Sequence, residues 1–115
     1  MNANSPNPET SSTGLAPNLA GALAYLLGPI TGIVFLVVEK DSRFVRFHAM
    51  QSTITFGGLF VIQVVLNLVP FIGWAVSGLI IFPLSVLLWA FLMFKAFSGE
   101  MFKLPTIGDM AERQL

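Results

Sequence analysis

The stretch "FHAMQSTITFGGLFVIQVVLNLVPFIGWAVSGLIIFPLSVLLWAFLMF" (residues 47–94) decides the fold, because it contains no Asp, Glu, Lys or Arg. A helix rises about 1.5 Å per residue, so crossing roughly 30 Å of hydrocarbon takes about 20 apolar residues. The run is too long for one straight span. Within it "NLVPFIG" (67–73) supplies the break, since Pro70 lacks a backbone donor and Gly73 frees the chain to turn. Two helices are expected, at about 46–69 and 72–97, joined by a very short turn.

Working outward toward the N-terminus, Leu19–Val38 is also uncharged and long enough to cross. Backbone groups in lipid must be satisfied internally, which favours helices over open strands. The expectation is an all-α membrane protein with three transmembrane helices, at about 19–38, 46–69 and 72–97, in one domain over 18–98. Composition agrees: 55% of the 115 residues are hydrophobic and 10% charged, and the mean hydropathy is +0.79. A soluble domain carries about 25% charged residues. Zero formal net charge offers no pull toward nucleic acid. With no cysteine, thiolate zinc sites and cysteine nucleophiles are excluded.

Residues 1–17, "MNANSPNPETSSTGLAP", hold too little apolar surface to offset ordering entropy, so a disordered tail is expected there. The six basic residues follow the membrane pattern. Lys40, Arg43 and Arg46 lie between the first and second spans, and Lys95, Lys103 and Arg113 lie at or after the end of the third. Under the positive-inside rule, three spans put the N-terminus outside and the C-terminus in the cytoplasm of a cell membrane. Trp74 and Lys95 are placed as interfacial anchors, and Ser98-Gly99 as a helix stop. Residues 99–115 are expected as a cytoplasmic, amphipathic, interfacial segment with a short helix after Asp109.

Candidate contact residues fall into four groups. Gly21, Gly28 and Gly32 share one arc of the first helix, and the last two have the spacing that lets another backbone approach closely. Their partner is either this chain's own second or third helix or another protein. Gln63 and Asn67, four apart, form an amide pair on one face. His48, Gln51, Ser52 and Thr55 share a face by i, i+3, i+4, i+7 spacing and suit an interhelical polar cluster. Lys40, Arg43, Arg46 and Lys95 are candidates for lipid headgroups, with Glu39, four residues before Arg43, as the alternative partner of the arginines. Pro29 and Pro83 remove donors inside helices and suit bends. One histidine without cysteine or an intramembrane carboxylate completes no catalytic or metal site. No cofactor motif is present either.

The combination "LAYLLGPITGIVFLVVEKDSRFVRFHAMQS", "VPFIGW" and "FKAFSGEMFKLPTIGDMAE" resembles a known family over residues 19–115. It is similar to small prokaryotic integral-membrane proteins of unknown function grouped with the Tic-twenty component of the chloroplast inner-envelope import machinery. The plastid members resemble a four-helix design, whereas this chain supports three. The resemblance implies a polytopic membrane protein, prokaryotic in setting, with a translocation-related ancestry and no catalytic residue to carry over. The functional expectation is a non-enzymatic assembly or translocation-related module. Its partners would be the lipid bilayer and either a homo-oligomer or another membrane protein, with no nucleic acid and no cofactor. The alternative is an oligomeric channel for small solutes or ions, because three helices enclose no wide pore alone.

Overall fold

The computed structural model describes residues 11–114, and among them every regular element is helical. Residues 1–10, the larger part of the expected tail, lie outside the described residues. Two long apolar helical runs form the frame: α3 (Arg43–Asn67) and the run Ile72–Phe97. The second run is built from α4 (Ile72–Val76), a π-helical turn at Ser77–Ile81, and α5 (Phe82–Phe97). The two runs measure about 37 and 39 Å at 1.5 Å per residue, each enough to cross a bilayer. The π turn lies directly before Pro83, whose missing donor a wider helical turn accommodates.

The turn between the runs is as short as expected. Phe71 takes a left-handed φ of 63° there. A Cβ on Gly73 would stand 1.9 Å from the Leu66 carbonyl oxygen, so α4 closes against α3 only with glycine at that position.

The expected single helix over 19–38 is corrected. The segment is two ten-residue helices, α1 (Pro17–Leu26) and α2 (Pro29–Val38), broken at Gly28. Gly28 has φ 62° and ψ −126°, a backbone region nearly closed to other residues, and Pro29 opens the next helix where its missing donor costs nothing.

The direction of travel reverses at this break. Along α1, Gly21 meets Phe44 and His48; at the break, Gly28 meets Phe56; along α2, Gly32 meets Ala49 and Thr53, and the Arg46 Nη1 reaches the Leu36 carbonyl at 3.3 Å. The chain therefore runs down α3 and back up it. At the open end Ser12 N donates to the Glu39 Oε2 at 2.7 Å, so the start of α1 and the end of α2 sit together. Each arm is about 15 Å long, half a hydrocarbon core.

The turn pairs its own backbone groups. Gly28 N donates to the Tyr25 carbonyl at 3.0 Å. Thr31 Oγ1 donates to the Ala24 carbonyl and accepts from Leu27 N, both at 3.1 Å. Trp89 Nε1, from the middle of α5, donates to the Tyr25 and Leu26 carbonyls at 2.8 and 3.1 Å. Ser52 Oγ, from α3, donates to the Gly28 carbonyl at 2.9 Å. Irregular backbone at membrane depth is tolerated when protein covers it in this way.

Beyond Gly99, whose φ of 85° ends α5, the chain runs without regular structure to α6 (Ile107–Arg113). That helix starts two residues before the expected Asp109 and packs on α3. Gly108 makes the reversal possible, since a Cβ there would lie 2.4 Å from Lys103 Cβ.

A substitution series tests the break. Gly28→Ala should destabilise the protein by about 1–3 kcal/mol, because it strains the backbone and presses on Phe56 Cβ at 3.2 Å. Gly58→Ala, in α3 with open space around it, should be neutral or raise stability by up to about 1 kcal/mol. Unfolding in mild detergent distinguishes the two.

Candidate functional site

The most connected polar cluster grows from the start of α3. Ser42 caps the helix, its Oγ accepting from Val45 N at 3.2 Å. With the register set there, the 3.6-residue period puts His48, Gln51, Ser52 and Thr55 on one inward face, and all four are buried.

His48 joins three segments. Its Nδ1 lies 2.7 Å from the Tyr25 hydroxyl of α1, and its Nε2 lies 2.7 Å from the Glu100 carbonyl after α5. A carbonyl only accepts, so Nε2 carries the proton and Nδ1 accepts from the Tyr25 O–H. Gln51 completes the network: its Nε2 donates to the Tyr25 oxygen at 2.9 Å and to the Phe102 carbonyl at 2.8 Å. Its Oε1 accepts from Leu104 N at 2.9 Å. Every donor finds an acceptor when the imidazole is neutral. The rings of Phe44, Phe47 and Tyr25 enclose it edge-on, with centroids 4.7–5.4 Å away.

Ser52 belongs to the hairpin tip described above. Thr55 differs, because its buried Oγ1 finds no partner among the described residues. It borders an apolar cleft with Ile54, Gly58, Leu59, Ile62, Leu88 and Ile107.

The three glycines of the first segment all face α3 of this same chain. A Cβ on Gly21 would stand 2.9 Å from Phe44 Cε1, and one on Gly32 would stand 2.6 Å from Thr53 Oγ1. Gln63 and Asn67 lie near the far turn and meet the π turn there. Asn67 Nδ2 donates to the Gln63 carbonyl at 2.6 Å and to Ser77 Oγ at 3.2 Å, and Ser77 Oγ donates to Gln63 Oε1. Trp74 Nε1 closes the group on the Asn67 carbonyl at 3.1 Å.

Of the four cations read as headgroup contacts, Arg46 and Lys95 bond to other groups of the chain, and Arg43 acts electrostatically on the Glu112 carboxylate of α6. Arg46 Nη1 caps the end of α2 through the Glu39 carbonyl at 2.8 Å. Lys95 pairs with Glu100 at 3.3 Å and lies over the rings of Phe91 and Phe102 at 5.5 and 5.7 Å. Lys40 and Arg43 are exposed at the same end of the bundle.

Sequence reasoning missed Tyr25 and Trp89, and its residue-level pairing set Glu39 only against the arginines. Tyr25 is the chain's one tyrosine and sits at the network's centre. Trp89 lies in the middle of a span rather than at its edge, and a donor at that depth signals a buried acceptor. Glu39 is fully buried and gathers the start of α1. Its carboxylate accepts from Ser11 Oγ, Ser12 N, Asp41 N and Ser42 N. Burial pushes its pKa up, but the hydrogen bonds from Ser11, Ser12 and Ser42 outweigh that and hold it at about 2, below the ordinary 4.5. Ser11 and Ser12, read in sequence as tail, are docked by these bonds.

Two long apolar runs, a folded-back apolar hairpin and a single end that carries the charged side chains define a small α-helical membrane protein. The chain belongs to the MamF/MmsF family, described as a magnetosome magnetite crystal formation protein family, which it matches over residues 11–111. It is 52% identical to a UPF0132 membrane protein of Methanocaldococcus jannaschii, over 90% of this chain and 92% of that one. A UPF0132 membrane protein of Archaeoglobus fulgidus is 54% identical, over 85% of this chain and 94% of the relative. No solved structure matches. These matches support a small prokaryotic membrane family of unknown function; the finer likeness to the Tic-twenty component is not carried by them.

Two outcomes follow from the cluster. Tyr25→Phe leaves His48 Nδ1 and one Gln51 donor without their partner, and should lower stability by about 1 kcal/mol, read by thermal unfolding in detergent. Glu39 is ionised in the folded state with a depressed pKa, so its contribution is complete above about pH 4.5 and drains away as pH falls toward 2. Glu39→Gln should flatten that part of the pH–stability profile. An unchanged slope between those limits would contradict the clasp.

Proposed function

We propose that this is a non-enzymatic structural protein of the cell membrane, with two crossings and a re-entrant helical hairpin, which works by packing with itself or another membrane protein. The observation that carries this reading is the use made of its polar side chains. His48, Tyr25, Gln51, Ser52, Trp89 and Glu39 each bond across elements, joining segments of the chain. Both nitrogens of the lone histidine are engaged in that work.

Because α1 and α2 return to the end where they began, the first described residues lie beside Lys40, and α5 also ends there. Three of the six basic residues flank the open end of the hairpin and the other three lie in the last turn of α5 or after it, and the far turn has none. The positive-inside rule then puts both ends of the described chain in the cytoplasm, in place of the opposite-sided arrangement that three crossings required. The surfaces left for assembly are the apolar outer faces of α3 and of the run through the π turn and α5, where a Cβ added at Gly58 or Gly78 would meet nothing within 4 Å. Any translocation-related role would be exercised through such a partner. The family description speaks of magnetite crystal formation; our reading rests on the packing geometry and not on mineral chemistry.

Single cysteines test the sidedness, since the chain has none of its own. With an impermeant reagent on intact cells, Phe71→Cys should label, whereas Leu15→Cys and Ser98→Cys should label only after the membrane is opened. Labelling of Leu15→Cys on intact cells would restore the three-crossing arrangement. In-cell crosslinking from Gly58→Cys and Gly78→Cys should capture a second membrane-embedded chain; only monomers at both positions would refute assembly.

A further inference from the structure

The two ends of the molecule differ in width, and the difference follows from where the hairpin stops. Its tip lies at Phe56, near the middle of α3, and at Trp89, in the middle of α5 and about two-thirds of the way along the second run. Every buried residue of α3 falls between Phe44 and Thr55, and the buried residues of α5 are Leu92 and Ala96. On the basic side of the tip, α1, α2, α3 and α5 pack together, with α6 and residues 100–106 added against α3. On the other side only α3 and the run through α4 and the π turn remain, holding each other near the turn through Gln63, Asn67, Ser77 and Gly73. Residues of that half such as Phe60, Val65, Leu79 and Leu84 are more than half exposed.

We propose that the protein is a leaflet-selective wedge that prefers, and at high density promotes, bilayers curved convexly toward its basic end. This rests on the re-entrant reading above. A helix with its side chains is about 10 Å across, so each occupies on the order of 80 Å² of membrane. The basic half holds at least two more helices than the far half. It therefore expands its leaflet by roughly 160 Å² relative to the other. A bilayer accommodates such an insertion at least cost where the expanded leaflet is already on the outside of a bend; one-leaflet insertion is curvature-sensitive for the same reason.

Charge sets which leaflet that is. Lys40, Arg43, Lys103 and Arg113 are exposed at the wide end, where Lys103 pairs with Glu112 at 2.8 Å, and sidedness follows the count of basic residues rather than net charge. The wide half thus belongs in the anionic cytoplasmic leaflet, and the favoured shape is a bud or tubule convex toward the cytoplasm. The bonds at the tip resist flattening, since opening the hairpin would strip Gly28, Tyr25 and Leu26 of their cover in mid-bilayer.

The test uses the full chain carrying Ser98→Cys and a fluorescent label, reconstituted into phosphatidylcholine vesicles with a minority of phosphatidylglycerol. Single-vesicle imaging reads protein per unit membrane area against vesicle diameter, and an impermeant quencher separates the two orientations. Molecules with the basic end outward should be enriched roughly threefold in small, highly curved vesicles over large, nearly flat ones. Molecules with the basic end inward should be depleted there. Densities independent of diameter in both orientations would overturn the wedge. The same quencher assay on Leu15→Cys says which idea has failed. If residues 15 and 98 share a side, the hairpin stands and the wedge alone falls; if they lie on opposite sides, both fall.

Discussion

A peptide group in the middle of a bilayer must find its hydrogen bond within the protein, and that constraint shapes this fold. The chain breaks a helix at Gly28, and protein covers the turn that results. The exposed carbonyls that result are the points to which the other elements are tied: Ser52 reaches one from α3, Trp89 reaches two from α5, and Thr31 ties one arm of the hairpin to the other. Removing the break would remove the reason for Trp89 to stand in the middle of a span.

The second level of order lies nearer the basic end. His48 and Gln51 bind main-chain atoms of Glu100, Phe102 and Leu104, so the segment after α5 is held against α3 by polar bonds as well as by packing. Tyr25 links the same two side chains to α1. Glu39 gathers the start of α1 and the start of α3 around one carboxylate. Isolated interhelical hydrogen bonds in membranes contribute only about 0.6 kcal/mol on average. Their value here lies in direction: they determine which segments meet and at what depth.

Much of the frame was legible in the sequence. The uncharged run from Phe47 to Phe94, broken at Pro70 and Gly73, gives the two long helices within a few residues, and the His48–Thr55 face emerges from the helical period alone. What periodicity does not carry is the reversal at Gly28. A mid-span glycine followed by proline reads equally as a bend in a crossing helix, and an uncharged stretch of twenty residues has the same hydropathy whether it crosses or folds back. The cues that separate the two cases are long-range. Trp89 needs an acceptor at mid-depth, and Glu39 recruits serines 27 and 28 residues away. Ser11 and Ser12 look like tail for the same reason, since their order comes from Glu39 and not from their own composition.

The hairpin is tested most directly by a distance. Spin labels at Leu15→Cys and Lys40→Cys, measured by pulsed electron resonance in a lipid bilayer, report the separation of its two open ends. Ser12 Oγ accepts from Lys40 N at 2.9 Å, and Leu15 lies three residues along the chain from Ser12, so the expected backbone separation is within about 18 Å. A continuous crossing helix would place the same positions about 37 Å apart, and a distance near that value would contradict the fold-back on which the rest of the structure is built.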